Sequence, residues 1–330
     1  MTSDVNIAID VMGNDKGPDV IIKASSISKT RYPDIKYTYF GDSKVIAKHV
    51  NKYANLIGSY QILHTEEEVL PEDKPTLALR KRKKSSMGRA LGYLKEKKVE
   101  ALVSAGNTGA LMAMSKLELR MLEGILRPAI AATFPHKKGE FVMLDLGANT
   151  ECSHEHLVQF AIMGSEFAKV VIGKEEPKLA ILNIGTEADK GKMYINETAK
   201  KLKESYLSEN FIGYIEGNDI TSGVADVVIS DGFSGNIALK TAEGVATLCN
   251  DYIKNIFQSS FLGKISFILL SKKLLALKDK LDPRKRNGAL FLGLNGIVVK
   301  SHGGADALGF ASAIDIAYEF AYEDIAKKII

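Results

Sequence analysis

Short runs dense in Ile, Val, Leu and aromatic residues recur along this chain, separated by longer stretches with helical spacing. Continuous apolar runs bounded by Gly, Asn and Asp read as buried strands. They predict strands over 6–10, 36–40, 59–63, 101–103, 141–145, 179–183, 211–215, 227–230 and 294–300. Helical spacing predicts helices over 155–171, 188–204 and 236–256, and another in the run that follows Ala110. Strands alternating with helices give an α/β fold, with a mostly parallel sheet covered on both faces. No linker or short repeat divides the chain, so residues 1–330 are expected to form one domain, with an apolar, Lys-rich helical segment over 257–286 inserted late.

The polar residues that follow the strands form a second pattern. Six turns pair Gly with Asn, Asp, Lys or His. They are Asp10 to Pro18, Ser104 to Ala110, Asp145 to Thr150, Asn183 to Gly191, Ser230 to Asn236 with Lys240 one turn on, and Lys300 to Asp306. In a parallel sheet, ligands bind beyond the carboxyl ends of the strands. The six turns are therefore expected along one edge of the sheet. The sharpest is Ser104-Ala105-Gly106-Asn107-Thr108-Gly109-Ala110, which lies between an apolar run and a helical run. A strand, a glycine turn and a helix start leave main-chain N–H groups and a helix dipole facing one point, which suits an anion. The plainer reading of the same residues is a β–α turn with a capping side chain.

Composition narrows the classes. Of 330 residues, 45% are hydrophobic and 25% charged, enough for a sizeable core in an ordinary globular chain. The net charge of +4 is too small to suggest a nucleic-acid binder, but it suits an acidic partner or an anionic membrane. Two cysteines, Cys152 and Cys249, make no disulfide framework, which fits a reducing cytoplasm. No signal peptide or spanning apolar run is evident.

Three further signals have two readings each. Arg80-Lys81-Arg82-Lys83-Lys84 is either a solvated helix face or a docking site for an acidic partner. It lacks the aromatic interleaving of a nucleic-acid site. Cys152, His154 and His156 have zinc-like spacing but no evident fourth ligand, so capping and packing are the better reading and no metal is expected. The stretch 257–278 alternates large apolar residues with lysines. It can lie in a membrane interface or pack in a helical hairpin between two copies of the chain.

The motifs Asp10-Val11-Met12-Gly13, Ser104 to Ala110, Leu144 to Asn149, Ile184-Gly185-Thr186-Glu187 and Asp231 to Asn236 together resemble the bacterial phosphate acyltransferase (acyl-ACP:phosphate transacylase, PlsX) family. The likeness runs from the first strand to the His302 loop and is poorest over 257–286. It departs at Asn14, where the family usually has a second Gly. It implies a Rossmann-like sheet with the phosphotransacylase or isopropylmalate dehydrogenase-like architecture. It also implies the conversion of acyl-ACP and phosphate to acyl phosphate and free acyl carrier protein (ACP) for phospholipid synthesis, by a cytoplasmic homodimer peripheral to membranes. Phosphate attacks the thioester itself, so neither a cofactor nor a covalent nucleophile is needed.

On that resemblance, Gly106, Asn107, Thr108, Asn149 and Asn236 supply phosphate and oxyanion donors. Lys190 is the first choice for charge stabilisation, with Lys240, Lys300 and His302 as further candidates. Asp231 orients a lysine or handles the phosphate proton. Asp10, Gly13, Asp15, Ser104, Gly109, Asn183 and Glu187 line the site, and Arg82, Lys83 and Lys84 meet ACP. For any one of these the alternative is a cap or a structural ion pair. Rival functions are a short-chain phosphotransacylase using acyl-CoA and a non-catalytic, ACP-binding membrane scaffold.

Overall fold

The computed structural model of the chain describes residues 5–187, 190–259, 262, 265–267, 269–273, 282, 284 and 287–323. Among these residues eleven strands form one sheet. In chain order they are β1 (Asn6–Asp10), β2 (Lys36–Gly41), β3 (Tyr60–His64), β4 (Ala101–Ser104), β5 (Ala129–His136), β6 (Gly139–Leu144), β7 (Leu179–Leu182), β8 (Phe211–Ile215), β9 (Val227–Ile229), β10 (Ala289–Leu292) and β11 (Ile297–Lys300). Their order across the sheet is β3-β2-β1-β4-β11-β10-β5-β6-β9-β7-β8.

Successive side chains of a strand point to opposite faces, and the core divides accordingly. Ile7, Ile9, Val103, Leu144, Ile181 and Ile229 join one cluster. Their neighbours Ala8, Leu102, Met143, Ala180 and Val228 join the other. Helices α1 (Pro18–Arg31), α6 (His154–Val171), α7 (Met193–Lys203) and α9 (Ala307–Tyr322) cover the first face with Ile21, Phe160, Leu202 and Phe310. Helices α3 (Pro75–Lys81), α4 (Ser86–Lys95) and α5 (Thr108–Leu119) cover the second with Ala78, Leu91 and Leu111. Helix α2 (Ser43–Val50) flanks the edge by β3, and α8 (Gly232–Gln258) leaves the end of β9.

The strands expected from the sequence are present, with ends moved by at most three residues. The helix expected over 188–204 is α7, which begins later, after Gly191 takes a positive φ of 87°. Helix α8 begins earlier than expected because Asp231 caps it. Two strands, β5 and β10, escape the sequence pattern. Strand β5 reads Ala-Ile-Ala-Ala-Thr-Phe-Pro-His, in which alanine and proline are poor strand formers. Strand β10 has only four residues.

These two strands correct the expectation of a single edge. Strands β3, β2, β1, β4 and β11 pair in parallel, and so do β6, β9, β7 and β8. The pairings β11–β10, β10–β5 and β5–β6 are all antiparallel. Three reversals make the two parallel blocks run in opposite senses. Asp10, Ser104 and Lys300 therefore end strands that run against those ended by Asp145, Asn183 and Ser230.

The register nevertheless brings the ends together. Strand β5 pairs with β10 through Ala129 to Ala131 and with β6 through Ala132 to His136. Lys300 pairs with Ala289, Leu290 with Ala131, and Ala132 with Met143. The carboxyl end of β11 is thus level with that of β6, three strand spacings away, or about 14 Å. The blocks are staggered along β5, and both sets of strand ends face the middle.

Phe291 lies at this join and is 1% exposed. Phe291→Ala is expected to cost about 3–5 kcal/mol of unfolding free energy, read from urea titration. A cost below about 1 kcal/mol would mean that the join does not depend on this core.

Candidate active site

The buried carboxylate of Asp10 organises the side formed by the first block. It accepts from Ser86 Oγ and Ser104 Oγ, each at 2.6 Å, and from the Met12 N–H at 3.3 Å. Burial pushes its pKa up; the bonds from Ser104 and Ser86 and the Lys300 charge oppose that rise. Lys300 Nζ donates to the Ala105 carbonyl at 3.0 Å and to that of Ser301. Burial pulls the lysine down to about 8, while Asp10 and Asp15 hold it up. Gly13 is required by a close approach, because a Cβ there would sit 2.6 Å from the Gly106 N and 2.9 Å from Asp10 Oδ2. The loops after β1, β4 and β11 are therefore in contact. Asp15 N–H donates to the Gly303 carbonyl at 3.0 Å, and Asn14 Nδ2 donates to that of Ala305 at 3.3 Å.

On the other block Asp145 plays the matching part. Its Oδ1 accepts from the N–H groups of Ile130, Gly147 and Ala148, and its Oδ2 accepts from the N–H and the Nδ2 of Asn149. Asn149 Nδ2 also donates to the Pro128 carbonyl at 2.7 Å. Asn236 Nδ2 donates to the Leu146 carbonyl at 3.0 Å. Asp231 caps α8 through the Ser234 N–H and also accepts from Ser234 Oγ and Tyr194 Oη. Burial, then Asp231, raise the Tyr194 phenol. Burial, then Asp145, push the Cys152 thiol up to about 12, so it stays protonated near neutrality and is a poor nucleophile.

Asn183, 7% exposed, donates through Nδ2 to the Lys190 carbonyl at 3.1 Å. Its Oδ1 has no partner among the described residues. Glu187 and Lys190 are exposed in the loop before α7. Lys240, about half exposed, pairs with Glu243 at 2.8 Å. Its charge adds slightly to the lowering of the Lys300 pKa. His302 is exposed, and its Nδ1 accepts from the Gly304 N–H.

The Asn107 amide is fully engaged. Its Oδ1 caps α5 by accepting from the Ala110 N–H, and its Nδ2 donates to the carbonyls of Pro71 at 2.7 Å and Asp73 at 3.0 Å. The donors left at this turn are the Thr108 hydroxyl and main-chain N–H groups. Thr108 and Gly109, in the first turn of α5, have N–H groups with no acceptor inside the helix.

A family model described as "Fatty acid synthesis protein" matches residues 5–328. A phosphate acyltransferase of Parvibaculum lavamentivorans is 48% identical over 331 residues, covering 100% of this chain and 92% of the relative. The chain belongs to the phosphate acyltransferase family. A second member, from Paramagnetospirillum magneticum, is 47% identical over 99% of this chain and 94% of its own length. The fold is shared with a phosphotransacetylase from Streptococcus pyogenes, at a TM-score of 0.67 and 16% identity over 98% of this chain and 95% of that one. It is also shared with a branched-chain phosphotransacylase from Enterococcus faecalis, at a TM-score of 0.59 and 13% identity over 96% and 99%.

In this family member the turns singled out from the sequence fall into two groups. Asp10, Gly13, Asp15, Ser104, Gly106, Thr108, Gly109, Lys300 and His302 lie at the strand ends of the first block and in the turns and helix start that follow them. Asn149, Asn183, Glu187, Lys190, Asp231 and Asn236 lie on the turns and the helix start that follow the second block's strands, and Lys240 lies further along α8. Arg82, Lys83 and Lys84 sit between α3 and α4, outside both. The Ser153 N–H donates to His156 Nδ1 in a helix cap, which agrees with capping rather than ligation. The sequence reading named no role for Ser86, Tyr194 or Asp73. Ser86 follows the capping Ser85 of α4, a signal for a helix start only. Tyr194 carries no local signal because its partner lies 37 residues away, and the local bond of the Asp73 carboxylate, from the Leu70 N–H, signals a turn and not its link to Arg82.

Asn107→Ala removes a helix cap and two loop ties at once. It is expected to lower unfolding free energy by about 1–3 kcal/mol in urea titration. Unchanged stability would mean that the amide does not hold the 71–73 loop.

Proposed function

We infer that this protein transfers an acyl group from a thioester to inorganic phosphate, giving an acyl phosphate and a free thiol. The observation that carries this reading is end-to-end identity of 48% with a phosphate acyltransferase. A phosphate oxygen attacks the carbonyl carbon, a C–O bond forms and the C–S bond breaks. The thiol leaves readily because its ordinary pKa is only about 8.5. The protein's part is to place phosphate at the carbonyl and to stabilise the oxyanion.

The geometry supports a division of labour. Lys300, held by the Ala105 and Ser301 carbonyls, and the Thr108 and Gly109 N–H groups supply positive potential on the first block. Lys240 adds charge from α8, and Lys190 approaches from the exposed loop before α7. Asp231, Asn149 and Asn236 hold the second wall in shape. The protonated Cys152 supports direct attack by phosphate over a covalent acyl-enzyme.

The acyl donor on this reading is acyl-ACP, an acidic carrier suited to the basic run at Arg82, Lys83 and Lys84. The active unit is a homodimer. Residues 240–256 of α8 are all exposed in the single chain, Leu248, Tyr252 and Ile256 among them at 50%, 61% and 65%. A second copy of the chain would cover that face. The stretch 257–278 falls partly outside the described residues, and its exposed Leu262 and Leu269 suit an anionic membrane surface near the site where a long acyl phosphate is used. No helix among the described residues is long and apolar enough to cross a membrane.

Purified protein given palmitoyl-ACP and phosphate is expected to release ACP thiol and an acyl phosphate that hydroxylamine traps. Faster turnover of acetyl-CoA, with no thiol released from palmitoyl-ACP, would favour the short-chain rival.

The state of Lys300 sets a pH dependence. Its charge is lost as pH rises through about 8, so the KM for phosphate is expected to climb above that pH. A KM that stays flat to about pH 9.5 would remove Lys300 from phosphate binding. Stability moves the other way. The folded-state pKa lies below the ordinary 10.5, so the cost of the buried charge is present below about 8 and is relieved as pH rises toward 10.5.

A further inference from the structure

Between β3 and α4 the chain leaves the sheet and carries Lys74, Arg80, Lys81, Arg82, Lys83 and Lys84. This excursion is fastened to the site at several points. Asn107 Nδ2 holds the carbonyls of Pro71 and Asp73. Ser86, just after the basic run, bonds Asp10. Thr65 Oγ1 donates to the Lys84 carbonyl at 2.8 Å, and a Cβ on Gly109 would lie 3.1 Å from Pro75.

Asp73 is the residue common to the run and the turn. Its carbonyl meets Asn107 of the β4 turn. Its carboxylate accepts from the Leu70 N–H at 3.0 Å and from Arg82 Nε at 2.9 Å. The Asp73 side chain is only 5% exposed, while that of Arg82 is 29% exposed. Asp73 is therefore shielded from any docked protein and would act on one only through Arg82. The bond uses Nε and leaves the terminal amino groups of Arg82 without a partner among the described residues.

We propose that Asp73 is a positioning residue that fixes Arg82 and the basic run relative to the β4 turn, so that an acidic acyl carrier docked on the run presents its thioester at the anion site. This rests on the reading of the substrate as acyl-ACP. An unrestrained arginine samples many rotamers, and ordering it on binding costs affinity. A buried carboxylate bound to Nε orders it beforehand and leaves the charge available. Anchoring the run and the turn through one residue also fixes the distance between the docking charge and the reacting carbonyl.

The test is steady-state kinetics of the full chain with palmitoyl-ACP and phosphate. Asp73→Asn is expected to raise the KM for palmitoyl-ACP about tenfold, with kcat and the phosphate KM within about twofold of wild type. Its KM for the carrier should also depend less on salt. In a double-mutant cycle, Asp73→Asn adds nothing to Arg82→Gln, since both remove the same ordered charge. Fully additive losses, or an unchanged carrier KM in Asp73→Asn, would overturn the proposal. Should Asp73→Asn fail to fold, Arg82→Lys decides. It keeps the charge but lacks the fork that serves Asp73 and a partner at once, so it should behave like Arg82→Gln, and wild-type kinetics would overturn the proposal. A wild-type protein that releases no thiol from palmitoyl-ACP overturns the substrate reading itself and the proposal with it. An active wild type with an indifferent Asp73→Asn overturns the proposal alone.

Discussion

A strand has two hydrogen-bonding edges, and β5 uses them along different residues. Ala129 to Ala131 face β10, and Ala132 to His136 face β6. Were both neighbours paired along the same stretch, the opposed blocks would lie side by side, with their carboxyl ends at opposite margins of the sheet. The stagger slides one block past the other until Lys300 and Leu144 are nearly level. Asp145 then locks the join at the same height, since the Ile130 N–H of β5 donates to its carboxylate at 3.0 Å. The Leu146 N–H returns a bond to the Ile130 carbonyl. Every two-sided property of the site depends on this local choice of partners.

The parallel blocks were legible in the sequence because each strand contains an apolar run bounded by turn chemistry. Asn6 to Asp10 and Phe211 to Ile215 match the structure end to end. The centre was not legible. Alanine-rich β5 and four-residue β10 have weak strand preference, and their pairing is fixed by partners distant in sequence. Missing them left the sheet without its three reversals, and six polar turns were placed on one edge. The strand ends are level across the sheet, but they come from two opposed blocks. What the sequence hides in the site is long-range. Ser86 reaches Asp10 across 76 residues, and Tyr194 reaches Asp231 across 37. No local spacing encodes either.

Several of the polar strand-end residues serve the fold first. Asn107, Asp231 and Asp306 each cap the helix that follows, accepting from Ala110, Ser234 and Gly309. A side chain committed in this way has little left for a ligand. The Asn107 amide has used both its N–H bonds on the 71–73 loop, and its oxygen on α5. Capping still favours an anion at the helix start indirectly. A capped helix start fixes the direction of its remaining N–H groups and adds the helix dipole. The charge must then come from elsewhere, and burial decides where. An exposed lysine is screened by water, whereas Lys300, enclosed beside Asp10, acts at a lower effective dielectric. The enclosure also brings its pKa down to about 8, so the lysine has its full charge only below that pH. Asp10 offsets part of this fall, and its bonds from Ser86 and Ser104 help it remain ionised when buried. The two serines thus help Asp10 support the Lys300 charge.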